Sequence, residues 1–203
     1  MSALVAEVAV VNLDQVLWQA WKSMDAPEGF HAEIIEGTIT LSPTVGTRHF
    51  AVNRPVLHGL YGNLRGSDWT SGNVCNIIHG LKVLIPDVFV GPRHVEEIDH
   101  PEGLGLLASG IALVVETVSP GAEARQRDHV LKRRAYAAAG IPVYVIIDDY
   151  DDGGTVTILT GPDRERRAYG YSARIPYGRK AVIPEGPAKG FVIGPEITGE
   201  RRA

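Results

Sequence analysis

The sequence predicts an α/β fold in which helices flank one mixed central sheet. Two strongly apolar segments, residues 81–90 and 111–118, have the composition of buried strands, and a third follows at residues 143–147. Segments with apolar residues at helical spacing precede and separate these strands. The order is helix, hairpin, helix, two strands, helix, strand and further strands, which is typical of one sheet packed between helices.

The first part of the chain is predicted to form a helix, a hairpin and a second helix. Residues 13–24 alternate apolar and polar side chains at helical spacing. Residues 32–41 are predicted to form two short strands around Glu36 and Gly37, which suit a hairpin turn. Residues 48–64 carry apolar side chains near one face, which indicates an amphipathic helix.

A third helix is expected after the second apolar strand. Ser119 is a favourable N-cap residue, and Pro120 suits the first helical turn. The helix is predicted to cover residues 122–139 and to end at Gly140, with Pro142 just beyond it.

The C-terminal part of the chain changes character. From Gly154 onward, short strands are predicted between glycine and proline residues, and the chain has no internal repeat. We therefore expect a single domain over residues 1–203, with its core at about 30–160 and a strand-rich extension at about 161–195.

The composition is that of an ordinary folded protein in a reducing compartment. At 203 residues, with 44% hydrophobic and 22% charged residues, the chain can bury a substantial core. The formal charge of −4 gives no global attraction to nucleic acid, but it leaves room for a local basic surface. Cys75 is the only cysteine, which excludes an intramolecular disulfide and a multi-cysteine zinc site.

No targeting or membrane segment is predicted. Residues 1–12 are apolar, but they lack a basic leader and include Glu7. The longest uncharged stretch, residues 103–115, is shorter than the ~20 residues that span a bilayer and is interrupted by glycines. We expect a cytoplasmic protein without a membrane partner.

Two acidic residues stand where apolar residues are expected. Glu116 lies within residues 111–118, both faces of which are apolar, and Asp87 lies within residues 81–90. An ionised carboxylate left unpaired in such a position is strongly unfavourable, so each acid needs a cation or a proton. Two isolated acids on neighbouring core strands match the oxygen ligands that Mg²⁺ prefers, so a divalent-metal site is predicted at Asp87 and Glu116.

Lys132 is predicted to complete this site. On a helical wheel of about 100° per residue, Asp128 and Lys132 fall on the same face as the apolar positions of the third helix, and Tyr136 continues this stripe. A lysine that points at two buried acids can stabilise the charge that develops on a phosphate or can orient a water molecule.

Each of these residues also has a structural alternative. Asp128 and Lys132 could form an ordinary surface ion pair one helical turn apart. Asp87 could be a turn residue after Pro86, and Glu116 could be a protonated or salt-bridged structural acid. Three such residues on adjacent elements favour the site over these alternatives.

Several short motifs also follow one another in a defined order. They are Pro86-Asp87, then Val-Val-Glu116-Thr-Val-Ser-Pro, then the segment from Asp128 through Lys132, Tyr136 and Gly140 to Asp148. Upstream stand Ala32-Glu33-Ile-Ile-Glu-Gly37, Ser42-Pro43 and His49. Over residues 33–159 this pattern resembles the Uma-two family of endonucleases, within the PD-(D/E)XK, restriction-endonuclease-like superfamily.

The resemblance implies a restriction-endonuclease-like fold with extra C-terminal strands and an endonuclease that hydrolyses phosphodiester bonds of DNA with Mg²⁺ or Mn²⁺. It implies that Asp87 and Glu116 bind the metal and that a lysine assists catalysis. In the superfamily that lysine stands two residues after the glutamate, where this chain has Val118. Lys132 on the following helix is expected to take its place.

Four residues are expected as accessories to the site: Glu33, His49, Asp128 and Tyr136. For Glu33 and His49, purely structural roles are the alternative. The resemblance and double-strand cleavage both favour a homodimer, in which residues 182–193 could supply a strand edge for pairing.

The competing function is a catalytically inactive module that binds nucleic acid or protein on the same fold. The buried acids argue against it, because a module without a metal has no reason to bury them.

Two charged clusters are predicted to lie outside the site. Asp148, Asp149, Asp151 and Asp152 are expected in a solvated turn, and the basic residues between Arg164 and Lys180 could contact phosphates or form a solvated face.

Overall fold

The computed structural model of the protein describes residues 12–43 and 46–202. The segment predicted to lack a targeting leader, residues 1–12, lies outside this described part except for Asn12. No helix among the described residues is long and apolar enough to cross a membrane.

Between the second and third predicted helices the structure has six strands and not the predicted two. The described helices and strands follow in chain order. They are α1 (Leu13–Lys22), β1 (Phe30–Ile35), β2 (Thr38–Pro43), α2 (Thr47–Asn63), β3 (Trp69–Gly72), β4 (Ile77–His79), β5 (Lys82–Leu84), β6 (Val88–Pro92), β7 (Leu106–Leu107), β8 (Leu113–Thr117), α3 (Ala122–Gln126), α4 (Arg133–Ala139), β9 (Val143–Asp148), β10 (Thr155–Asp163), β11 (Ala168–Pro176), β12 (Ala181–Val182), β13 (Val192–Ile193) and α5 (Pro195–Thr198).

A six-stranded mixed sheet forms the centre of the fold. Its strands stand in the order β3-β6-β8-β9-β10-β11. β8 and β9 are parallel, and the other neighbours are antiparallel. The mixed α/β fold class predicted from the sequence is confirmed, and the two strands at its centre, β8 and β9, are buried on both faces.

A second sheet of five strands packs beside it in the order β2-β1-β5-β4-β7. The predicted hairpin joins β1 and β2, with Ile35 paired to Thr38. The two residues between them, Glu36 and Gly37, both have positive φ, at 48° and 78°. This conformation is that of a two-residue hairpin turn whose twist matches the strands.

The single strand predicted over residues 81–90 is wrong: the structure has two strands there. β5 belongs to the five-stranded sheet and β6 to the six-stranded sheet. Pro86 lies between them and has no amide hydrogen to donate to a strand partner, which interrupts the ladder. Apolar composition alone does not reveal such a change of sheet. As a result, Asp87 lies where the chain crosses from one sheet to the other.

The third predicted helix is present over its expected span, but it is not uniform. α3 and α4 are joined without a break by a π-helical turn, Arg127–Lys132. The helix ends at Gly140, which has the left-handed φ of 78°. Its N-cap is Gly121 and not the predicted Ser119, so the helix begins without a hydrogen bond from a capping side chain.

Two apolar cores lie on opposite faces of the six-stranded sheet, because alternate residues of β8 and β9 belong to different cores. One core packs α2 against the sheet and also takes in buried residues of the C-terminal extension, which include Tyr177, Ile183 and Ile193. The other packs α4 on the sheet through Ala135, Tyr136 and Ala139. The helices therefore flank the sheet as predicted.

Two of the four aspartates expected in a solvated turn are buried. Asp148 is the last residue of β9, and its Oδ2 lies 2.8 Å from His129 Nε2. Asp149 accepts hydrogen bonds from Arg48 Nε at 2.6 Å, from the Tyr177 hydroxyl at 2.8 Å and from Arg202 at 3.2 Å. The expectation fails for these two because their partners come from distant parts of the chain.

We predict that Asp149→Ala lowers the free energy of unfolding at pH 7 by about 2–3 kcal/mol. Burial alone would raise the pKa of Asp149, but its hydrogen bonds from Arg48 and Tyr177 outweigh burial and lower it. The stabilisation is therefore present at neutral pH and fades only below the ordinary carboxyl pKa of about 4.

Urea unfolding of both proteins at pH 7 measures this difference. Glu102→Ala is the matched control, because Glu102 pairs with Lys22 on the surface and its loss should change stability by less than about 1 kcal/mol. Equal stabilities of the two variants would contradict the prediction.

Candidate active site

Several chain segments meet at one edge of the six-stranded sheet. β8 and β9 are parallel and both end at this edge, and β6 begins there because it is antiparallel to β8. The start of α2 reaches the same edge, where His49 contacts Asp87. This edge carries the residues that the sequence predicts as a site.

Asp87 stands directly before β6, beside the end of β8. Its Oδ2 accepts a hydrogen bond of 2.7 Å from the Thr117 amide and lies 3.1 Å from His49 Nε2. The pairing of Val88 with Val115 places Asp87, one residue earlier, next to Glu116 on the neighbouring strand. Burial alone would raise the pKa of Asp87, but His49, the Thr117 amide and a nearby lysine lower it, so Asp87 is ionised at neutral pH.

Glu116 is buried within β8 and faces α4 and the π-helical turn. Its Oε1 accepts hydrogen bonds from Lys132 Nζ at 2.9 Å and from the Tyr136 hydroxyl at 2.6 Å. Burial raises the pKa of Glu116 well above its usual range; the Lys132 ammonium opposes this, and the neighbouring carboxylates reinforce it. Burial also raises the pKa of Tyr136, so its phenol remains a hydrogen-bond donor.

Lys132 is 3% exposed and has three partners for its ammonium. Nζ lies 2.9 Å from Glu116 Oε1, 3.0 Å from Glu33 Oε1 and 3.1 Å from the Ile85 carbonyl oxygen. Burial alone would lower the pKa of Lys132, but the nearby carboxylates raise it, so it stays charged. The alternative of a surface pair with Asp128 is therefore wrong: the ammonium donates to Glu116 and the Ile85 carbonyl and forms an ion pair with Glu33.

Glu33 ties the five-stranded sheet to this site. It lies on β1, and its Oε1 accepts a hydrogen bond of 2.7 Å from the Ile85 amide as well as contacting Lys132. The Ile85 amide binds Glu33 directly, and Lys132 also contacts the Ile85 carbonyl. Glu33 and Lys132 therefore together hold the segment that leads to Asp87.

Asp128 is buried, but its partner is Arg127 and not Lys132. Arg127 contacts both Asp128 oxygens, at 2.8 and 3.1 Å, and donates to Ser42 Oγ at 3.2 Å. Sequence analysis missed Arg127, because adjacent residues do not face each other on a regular α-helix. The π-helical turn that contains both residues gives no clear sequence signal.

The site holds more carboxylates than cations. The carboxylates are Glu33, Asp87, Glu116 and Asp128, and the fixed cations are Arg127 and Lys132. With every carboxylate counted as ionised, these four negative charges exceed the two fixed positive charges by two. Buried negative charge of this kind is stable only with a proton or a bound cation.

The donor set fits a hard divalent cation. Asp87 and Glu116 each use one carboxylate oxygen in hydrogen bonds, and the other oxygen, Oδ1 or Oε2, has no hydrogen-bond donor among the described residues. The described residues contain no group of three His, Cys, Asp or Glu side chains that could hold a metal. Two carboxylates with water and substrate oxygens are a common shell for Mg²⁺, whereas zinc sites take more protein ligands.

Two further contacts near the site were missed from the sequence. Thr117 Oγ1 donates to Asn53 Oδ1 at 2.6 Å, which fixes α2 to the end of β8. His129 Nε2 lies 2.8 Å from Oδ2 of the buried Asp148. Both contacts join residues far apart in sequence, which single-sequence patterns do not reveal.

Three of the six basic residues between Arg164 and Lys180 are paired with acids on the surface. Arg166 pairs with Asp163, Arg167 with Glu36 and Arg174 with Asp151. Of the two alternatives left open by the sequence, this pairing favours a solvated face over a phosphate-binding cluster.

Comparison with known proteins supports the fold and gives the family. No curated protein matches the chain. A crystal structure of a protein from Anabaena variabilis ATCC 29413, described as "a putative nuclease belonging to DUF820", superposes with a TM-score of 0.66 at 16% identity, over 94% of this chain and 98% of that one. At this identity the likeness confirms the fold alone.

A family model described as "Uma2: Putative restriction endonuclease" matches residues 18–182. The match takes in both sheets' central strands, α2, α4 and every residue of the site just described. It confirms the resemblance drawn from the sequence motifs, and the chain belongs to the Uma2 family.

Proposed function

We propose that this protein is a divalent-metal-dependent endonuclease that hydrolyses phosphodiester bonds of DNA, with Mg²⁺ or Mn²⁺ as its cofactor. The observation that carries the proposal is the uncompensated negative charge around Asp87 and Glu116, each of which keeps one carboxylate oxygen without a donor among the described residues. The description of the Uma2 family supports the same activity.

Asp87 and Glu116 would hold the metal, which when bound would polarise the scissile phosphate and lower the pKa of a bound water. His49 orients Asp87 through its hydrogen bond, and the Thr117 amide fixes the same oxygen. Tyr136 holds Glu116 by donating to its Oε1. These contacts preorganise the two ligands before any substrate arrives.

Lys132 acts in this proposal as a positioning residue. Its ammonium donates to Glu116 and to the Ile85 carbonyl and is ion-paired with Glu33, so its recorded contacts are to the protein itself. Because its pKa is raised, it also does not serve as a general base. Its contribution is to keep Glu116 and the segment before Asp87 in register. A direct catalytic role for Lys132 stays a prediction.

The alternative is a catalytically inactive nucleic-acid-binding or protein-interaction module. It differs from the nuclease in one measurable property, since it has no use for a metal. Isothermal titration with Mn²⁺ separates the two: a protein that binds no Mn²⁺ is the inactive module.

The homodimer and the cytoplasmic location stay predictions. β12 and β13 pair with each other over two residues each, which leaves only a short edge for pairing between subunits.

We predict that Glu116→Gln abolishes Mn²⁺-dependent cleavage without destabilising the protein. The amide keeps an oxygen that accepts hydrogen bonds from Lys132 and Tyr136. The substitution also removes one negative charge from a site that holds more carboxylates than cations. The free energy of unfolding should therefore stay equal or rise by about 1–2 kcal/mol at pH 7.

Cleavage of supercoiled and single-stranded DNA with Mn²⁺ measures the activity, and urea unfolding measures the stability. The sign follows from the raised pKa of Glu116, because a carboxyl that is harder to ionise in the folded state destabilises the fold at neutral pH. A Glu116→Gln protein that cleaves as fast as the wild type would refute the metal site.

The affinity for Mn²⁺ should fall as the pH is lowered from neutrality towards the ordinary carboxyl pKa of about 4. Because the pKa of Glu116 is raised, this carboxyl takes up a proton as the pH falls, and binding of the metal must then displace that proton. Calorimetry in two buffers of different ionisation enthalpy should detect the released proton. In Glu116→Gln the residual affinity should be weak and independent of pH. A wild-type affinity that does not change over this range would contradict the assignment.

Lys132→Met should be both unstable and slow. Removal of the only ammonium between Glu33 and Glu116 leaves two buried carboxylates unpaired, which should lower the free energy of unfolding by about 3–5 kcal/mol. Turnover with saturating Mn²⁺ should fall by roughly 10–100-fold, the usual loss when a residue that orients a metal ligand is removed.

A second substitution separates stability from positioning. Glu33→Gln added to Lys132→Met removes one unpaired carboxylate and should recover most of the stability, while turnover and Mn²⁺ affinity stay low. Lys132→Arg should not restore turnover, because a planar guanidinium does not reproduce three contacts of a compact ammonium. Turnover that recovers together with stability in the double variant would limit Lys132 to a structural role.

A further inference from the structure

We propose that the outer face of α2 binds an unpaired segment of the nucleic-acid strand next to the scissile bond. In this assignment Phe50 stacks on a base, and Arg54 and His58 contact phosphates. The inference rests on the proposed nuclease function and adds the class of its substrate, which is a single strand or a duplex with an unpaired end or flap.

The outer face of α2 consists of Phe50, Arg54, His58 and Tyr61. Their spacing of four, four and three residues places them in one stripe along the helix. Phe50 is 59% exposed and Tyr61 is 54% exposed, which is unusual for large aromatic side chains. The opposite side of α2 is fully occupied, because it packs in the core. Burial in the fold therefore does not explain the two aromatic rings.

A surface groove opens on this face. It has a volume of about 490 Å³ and is lined by Phe50, Ala51, Arg54, Pro55 and His58. The Arg54 guanidinium lies 6.0 Å from the centroid of the Phe50 ring, within the range of a cation–π contact. Pro55 has no amide hydrogen to donate to the Ala51 carbonyl, so that acceptor is available in the groove. The groove thus offers a flat ring, cations and a backbone acceptor.

The charge of α2 is suited to a polyanion. The chain carries a formal charge of −4, yet residues 47–63 contain two arginines and two histidines and no acidic residue. No ion pair among the described residues involves Arg54 or His58. An exposed aromatic ring beside an arginine that is not ion-paired among the described residues is the combination that proteins use to bind single-stranded nucleic acid.

The position of this face connects it to the candidate site. Phe50 follows His49, whose ring contacts Asp87, and Asn53 on the same helix contacts Thr117 at the end of β8. The outer face of α2 therefore begins on the same helical turns as His49 and Asn53, both of which contact residues of the candidate site. Bases inside a duplex are stacked on each other, so the face of Phe50 can reach a base only where the strand is unpaired.

The test is binding of a fluorescent single-stranded oligonucleotide, and of a blunt duplex of the same sequence, measured by anisotropy in EDTA. Phe50→Ala should weaken single-strand binding about 5- to 150-fold, the loss of one stacked base, and should change duplex binding less. Phe50→Trp should keep the affinity. Arg54→Gln should weaken binding and reduce the salt dependence by about 0.7 in the log–log slope. Tyr171→Ala is the control, because Tyr171 is 74% exposed on β11 and should have no effect.

The outcomes separate this proposal from the proposed function. Unchanged single-strand binding in Phe50→Ala, or no binding by the wild type, overturns the assignment of the outer face, whatever the protein does with Mn²⁺. If Phe50→Ala weakens binding of the blunt duplex as much as binding of the single strand, α2 binds duplex DNA, and the assignment of the outer face is also overturned. Loss of single-strand binding in a protein that cleaves nothing with Mn²⁺ leaves the surface assigned and removes the nuclease. Unfolding curves that match the wild type exclude loss of structure as the cause.

Discussion

One ammonium group joins the parts of this fold that make the candidate site. Lys132 comes from the helix on one face of the six-stranded sheet, and it contacts Glu116 of a central strand and Glu33 of the five-stranded sheet. It also holds the Ile85 carbonyl, in the link between the two sheets. The relative position of both sheets and the helix therefore depends on one buried cation with three partners.

This arrangement stabilises the fold only weakly, because the acids around Lys132 carry more negative charge than its ammonium can neutralise. The excess raises the pKa of Glu116, which is also the residue best placed to receive a metal beside Asp87. Buried charge of one sign is a poor way to stabilise a fold, since apolar residues of similar size do at least as well. It is a good way to hold a divalent cation, which supplies the missing positive charge. The same excess of negative charge thus weakens the fold and would hold the proposed metal.

The sequence predicted the residues of the site better than their geometry. Asp87 and Glu116 were recognisable because charged residues in apolar strands are anomalous, and Lys132 because helical spacing placed it on the inner face. Glu116 and Lys132 are buried as these arguments require, whereas Asp87 is half-buried and lies just before its strand. The change of sheet between Ile85 and Asp87 was not recognisable, because both strands are apolar. The π-helical turn and the buried Asp148 and Asp149 were missed too, since each depends on partners that the local pattern does not contain.

Helix α2 shows how the same element can serve both structure and substrate. Its inner side contributes apolar residues to one core, and at its first turns His49 and Asn53 fix Asp87 and Thr117. Its outer side is cationic and aromatic, without an acid. The core packing of α2 also sets the distance between its outer face and the proposed metal ligands. A strand bound through Phe50 would therefore be positioned by the same contacts that position Asp87, so binding and catalysis would share one rigid support.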